Sequence, residues 1–96
     1  MSSIVLKNAE EIELMRESAL IVSKTLGMLA GEIKPGISTL ALDALAENFI
    51  RDHGAVPGFL GLYEFPNTLC MSPNAQVVHG IPNKNPLVEG DIISID

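Results

Sequence analysis

The feature that most limits what this chain can fold into is a break in its apolar spacing at Gly54. Ahead of it, Ile12, Met15, Ala19, Val22, Leu26, Leu29 and Ile33 recur at intervals of three and four, and Leu42, Leu45, Ala46, Phe49 and Ile50 repeat the pattern. That interval sets each group on one face of a helix laid against a core. Asn8 with Glu11 three places later forms a capping-box pattern that starts the first helix, and Pro35-Gly36 ends it. Ser38 or Thr39 can cap the second, and Asp43 near its start, with Arg51 and His53 near its end, suits the helix dipole. Gly27 and Gly31 weaken the first helix locally, and Gly54 stands where a left-handed C-terminal residue is usual.

Beyond Gly54 the helical interval is lost. Pro57, Pro66, Pro73, Pro82 and Pro86 are five of the six prolines, and the apolar runs shorten to Thr68–Met71, Gln76–Val78 and Ile92–Ile95. Pro73-Asn74, Gly80 to Asn83 and Gly90-Asp91 separate them, so they read as short strands joined by turns. In the last run Ser94 and Asp96 share one strand face and Ile93 and Ile95 the other. A closing apolar strand with neither partner nor cover leads us to expect a truncated chain, residues 1–96 being the N-terminal part of a larger single domain.

Composition narrows the function classes. The 96 residues hold one domain at most, and 47% hydrophobic against 19% charged residues suits a packed core rather than disorder. With no Trp, that core is built from Leu, Ile, Val, Ala and Met. A formal net charge of −6 without a basic cluster argues against direct nucleic-acid binding. One cysteine, Cys70, forms no internal disulfide. The stretch from Met1 to Leu6 has no leader pattern, and no window reaches the ~18 apolar residues of a membrane span. A cytoplasmic location is the default expectation.

Two residues can carry chemistry. His79, at the end of Val77-Val78 and before Gly80-Ile81-Pro82, can exchange a proton near neutral pH, although a plain turn histidine is the commoner case at such a position. Asp96, on a strand opposite isoleucines, is either a metal ligand or the start of a loop just past the strand. Cys70 reads as a small buried hydrophobe, His53 as a helix-end cation and Asp91 as a turn residue.

The order of short segments adds to this. Ile12-Glu13-Leu14-Met15-Arg16, then Lys34-Pro35-Gly36-Ile37-Ser38-Thr39, the pair Leu42-Asp43, Pro66 to Ser72 followed by Asn74, Val77 to Pro82 and Gly90 to Asp96 run through the whole chain. Together they resemble the type I methionine aminopeptidases, whose "KPG(V/I)ST", "V-x-H-G-I-P" and "G-D-I-x-x-I-D" motifs they match in sequence. The resemblance implies an α/β (α+β) pita-bread fold, of which this chain supplies the N-terminal half: two helices followed by short antiparallel strands. It implies removal of the initiator methionine from nascent polypeptides whose second residue is small, by water activated between two divalent metal ions (Co, Mn, Fe or Zn), in an enzyme that is a monomer when complete. Under it Asp96 is the first metal ligand and His79 the catalytic histidine that contacts substrate. Phe59, Leu62, Phe65 and Cys70 line the methionine pocket with His79. Leu62 stands where many members of the family carry a pocket tyrosine, and Tyr63 follows one place later. The second Asp, the ligand His and two Glu would lie beyond residue 96, so the 96 residues alone are expected to be inactive. The alternatives are a metal-free pita-bread module that binds peptides or proteins, and an Xaa-Pro peptidase of the same fold.

Overall fold

A computed structural model of the chain describes residues 3–96. Met1 and Ser2, part of the N-terminal stretch read for a leader, lie outside the described residues. Helix α1 spans Ala9–Glu32 and α2 Thr39–Asp52. A short 3-10 turn follows at Leu62–Glu64, then strands β1, Met71–Pro73, and β2, Ile93–Ile95, which pair antiparallel.

The helix limits follow from their caps. Asn8 accepts from the Glu11 N–H at 2.8 Å and Glu11 returns the bond to the Asn8 N–H at 3.0 Å, completing the capping box. Ser38, rather than Thr39, caps α2, its Oγ accepting from the Ala41 N–H at 3.1 Å. Gly54 takes the left-handed conformation with φ 76°, and the His53 ring lies 2.8 Å from the Phe49 carbonyl at the helix end. Gly27 and Gly31 do not interrupt α1, and neither is required by a close approach, since a Cβ at either meets nothing within 4 Å.

The core is small. Leu29, Leu42, Ala46, Leu69, Met71 and Leu87 are buried together, with Met28, Ile37, Ile93 and Ile95 packed against them. The segment through Asn83 and Leu87 is laced to the helix–helix link: the Gly36 N–H donates to the Leu87 carbonyl, the Leu87 N–H to Ile37 and the Leu40 N–H to Asn83.

Three expectations need correction. The apolar stripe of α1 is not a buried face throughout: Thr25 and Leu29 are buried, but Ile12, Met15, Val22 and Leu26 stay 44–57% exposed. Helix length explains Ile12 and Met15, because 24 residues extend about 36 Å and the 14 of α2 about 21 Å, so α2 cannot cover the whole of its partner; Val22 and Leu26 border an open hollow with Ile50 and Pro57. Second, Gln76–Val78 is not a strand. Asn74 turns the chain with φ 51°, Gln76 closes onto the Pro73 carbonyl, and Val77 and Val78 stand in solvent. Third, the strand expected over Thr68–Met71 begins only at Met71; Asn67, Thr68 and Leu69 are instead hydrogen-bonded to side chains of α2.

Replacing Leu42, which is fully buried at the centre of this core, with alanine is expected to lower stability by about 2–5 kcal/mol, and Ser38→Ala by about 1 kcal/mol. Urea denaturation of the two variants checks this ordering; equal effects would contradict the placement of Leu42.

Candidate active site

Strand β1 is hydrogen-bonded along both edges, and this brings the candidate residues together. On one side it faces β2 with Met71 opposite Ile95 and Ser72 opposite Ser94. Cys70 and Asp96 extend the ladder by one pair, exchanging both backbone hydrogen bonds at 2.9 Å. Side chains alternate across such a ladder. Cys70, Ser72, Ser94 and Asp96 therefore share a polar face, and Met71, Ile93 and Ile95 turn into the core.

On its other edge β1 meets Gly80. The Met71 N–H donates to the Gly80 carbonyl at 2.8 Å, and the Gly80 N–H donates to Ser72 Oγ at 3.0 Å. A Cβ on Gly80 would overlap the Met71 carbonyl, so only glycine fits between these two bonds. The clamp fixes the residue before it. His79 is held with φ 58°, a left-handed conformation that a non-glycine residue adopts only when its surroundings impose it, at about 1–3 kcal/mol. Such residues concentrate at functional sites.

Cys70 and His79 both border two hollows. One is an apolar cavity of about 320 Å³ lined by Phe59, Leu62, Tyr63, Phe65, Cys70 and His79. Phe59 and Phe65 meet edge to face there, ring centroids 6.4 Å apart. The other, of about 120 Å³, has Ser72, Ser94 and Asp96 in its lining. The structure thus gathers the four pocket residues and His79 around one cavity and puts Asp96 in the hollow beside it. Leu62 is half-exposed, whereas Tyr63, with φ 47°, is 95% exposed at the rim.

Electrostatics follow from this placement. Burial pushes the Cys70 thiol above the ordinary thiol range, and the neighbouring Asp96 charge pushes it the same way. Cys70 is therefore a neutral, soft wall of the cavity at neutral pH. At the far end of the ladder Asp91 is held below the usual carboxylate range by the Val88 N–H and by the Asn74 amide, which ties the Gly90 turn to β1.

Asp96 offers an exposed carboxylate, a hard oxygen donor of the kind divalent cations take. It does so singly: among the described residues no three His, Cys, Asp or Glu side chains come together in a way that could hold a metal ion. The donor chemistry suits a share of a metal site and not a whole one. Sequence reasoning missed Ser72, whose hydroxyl carries the clamp, and the buried Asp43. Asp43 left a signal, since with Thr39, Leu42 and Ala46 it falls in the buried stripe of α2, where a carboxylate needs partners.

This two-helix, two-strand unit is the first part of a pita-bread fold: it superposes on 38% of a methionine aminopeptidase structure from Thermotoga maritima with a TM-score of 0.94 at 31% identity, and on 38% of one from Rickettsia prowazekii with a TM-score of 0.88 at 36% identity. Each match covers 97% of this chain. The model of metallopeptidase family M24 matches residues 13–96, and the chain belongs to that family. It is 53% identical over 93 residues to a methionine aminopeptidase of Clostridium perfringens, covering 97% of this chain but 37% of that relative's length.

Gly80→Ala is expected to break the Met71–Gly80 pairing and release His79, read as faster amide exchange at Met71; unchanged exchange would contradict the clamp. The thiol carries a sign that can be checked in metal-free protein. A raised value means the thiolate, and alkylation with it, appears only above the usual pH range for a thiol. Asp96→Asn removes the smaller of the two causes, so the onset moves to lower pH without reaching that of a free cysteine.

Proposed function

We propose that this chain is the N-terminal part of the catalytic domain of a methionine aminopeptidase that removes the initiator methionine from nascent polypeptides when the next residue is small. The observation that carries the reading is the meeting of Cys70 and His79 on the border between an apolar cavity and the hollow that holds Asp96. A cavity with two phenylalanines and a neutral thiol suits a methionine side chain, because sulfur packs favourably at aromatic edges. His79, fixed at the cavity rim, stands to hydrogen-bond the scissile amide and to stabilise charge on its oxygen. Asp96 would hold one divalent ion, Co, Mn, Fe or Zn, and the other ligands would come from polypeptide outside these 96 residues. Two such ions would supply a water of lowered pKa as nucleophile and would polarise the carbonyl. The family membership and the 37–38% share of the relatives' length support reading this chain as part of such an enzyme.

The same reading has the enzyme act in the cytoplasm as a monomer. No helix among the described residues is long and apolar enough to cross a membrane. The net charge of −6 gives no footing for nucleic acid.

The test uses the polypeptide at the length of its relatives, assayed on a Met-Ala peptide and, side by side, on an Xaa-Pro substrate, with Mn(II) or Co(II) supplied. Methionine release is expected, lost in Asp96→Ala and lowered about 10²–10³-fold in kcat in His79→Ala. Cleavage of the Xaa-Pro substrate alone would move the protein to the sister specificity, and cleavage of neither would overturn the enzymatic reading.

A further inference from the structure

Asp43 is only 5% exposed, yet no ion pair among the described residues neutralises it. A buried carboxylate without a cation has to be compensated by hydrogen bonds, and an apolar side chain would fill the same space at less cost. Both oxygens of Asp43 are engaged by one short segment. Oδ1 accepts from the Leu69 N–H at 2.7 Å and Oδ2 from Asn67 Nδ2 at 3.2 Å. One turn further along α2, Glu47 Oε1 accepts from Thr68 Oγ1 at 3.2 Å, and Glu47 is steadied on its other oxygen by Arg51 at 3.1 Å. Three consecutive residues, Asn67, Thr68 and Leu69, thus hang on two carboxylates of one helix face. They lie between Phe65 and Cys70, which both line the apolar cavity, and they lead into β1.

We infer that Asp43, seconded by Glu47, is a positioning residue for the cavity: it holds the Asn67–Leu69 segment at a fixed height on α2 and so sets where Cys70 stands in the cavity wall and where β1 begins. What the cavity accepts rests on the proposed aminopeptidase reading; the latch itself does not. Helix α2 runs unbroken from Thr39 to Asp52, and a wall tied to it at two successive turns cannot shift without breaking charge-assisted bonds.

The experiment compares Asp43→Asn with Ser38→Ala in the intact protein. Asp43→Asn keeps the size of the side chain but removes its charge and turns an amide donor toward either Asn67 or Leu69. Ser38→Ala removes the cap of the same helix without touching the latch. Two rates are read at one fixed pH: amide exchange at Leu69, and alkylation of Cys70 by iodoacetamide, followed by peptide mass spectrometry. In Asp43→Asn both are expected to rise about tenfold, as the loss of one charge-assisted hydrogen bond allows, while in Ser38→Ala both stay at the native rate even though the melting temperature falls. If the two variants raise Cys70 alkylation equally, in step with lost stability, or if Asp43→Asn moves neither rate, the inference is overturned. Should Asp43→Asn fail to fold, Glu47→Gln takes its place, with faster alkylation expected and unchanged alkylation overturning the inference. None of these rates depends on methionine release, so a failure of the aminopeptidase reading would leave them as they are.

Discussion

The arrangement turns on Met71. Its side chain is 1% exposed in the core, its N–H reaches the Gly80 carbonyl, and its two neighbours on the strand, Cys70 and Ser72, present the polar face. One residue therefore ties the hydrophobic core to the site. Burial of Met71 sets the strand's facing, since a slip of one place would send Met71 outward and bring Cys70 and Ser72 into the core. With that facing, and with Met71 paired to Ile95, the ladder puts Asp96, the residue after β2, opposite Cys70. The Met71 N–H, pointing away from β2, draws in Gly80 and with it the left-handed turn at His79.

Helix α2 supports this from beneath. Its apolar residues Leu42 and Ala46 pack into the core, while Asp43 and Glu47, on neighbouring positions of the same helix, hold the approach to β1. Core and site are thus built on one rigid element, the arrangement that keeps a binding wall in register. Helix α1 contributes less. Only the part around Thr25 and Leu29 is buried, and its apolar residues from Ile12 to Val22 remain largely exposed. Those apolar residues find no cover among the described residues, and the chain spans 37% of the length of its Clostridium perfringens relative.

What could be read beforehand followed local rules. The capping box at Asn8 and Glu11, the Ser38 cap, the left-handed Gly54 and the turns at Asn74 and Gly90 depend on neighbours within a few residues, and the structure has each of them. The alternation of Ser94 and Asp96 against Ile93 and Ile95 was legible for the same reason. The strand pairing was not. Val77 and Val78 have strand-forming side chains but find no partner, because Gly80 takes the free edge of β1. Leu69 looked like strand, yet its N–H goes to a carboxylate 26 positions earlier. Nothing local announces a bond of that range. The cavity residues Phe59, Leu62 and Phe65 recur every third position, but Cys70 falls outside that interval and no helical stripe joins the four; only the family resemblance grouped them, and the structure brings them around one space.

In the proposed reading, the polar face of the β1–β2 ladder is one wall of a metal site, with Asp96 as its ligand and His79 beside it. Anomalous diffraction at the manganese edge, from crystals of the protein prepared at the length of its relatives and soaked in Mn(II), tests this most directly. A peak is expected in bonding contact with the Asp96 carboxylate, on the face that carries Ser72 and Ser94. A well-ordered Asp96 with no peak beside it, or manganese bound only elsewhere on the molecule, would contradict it.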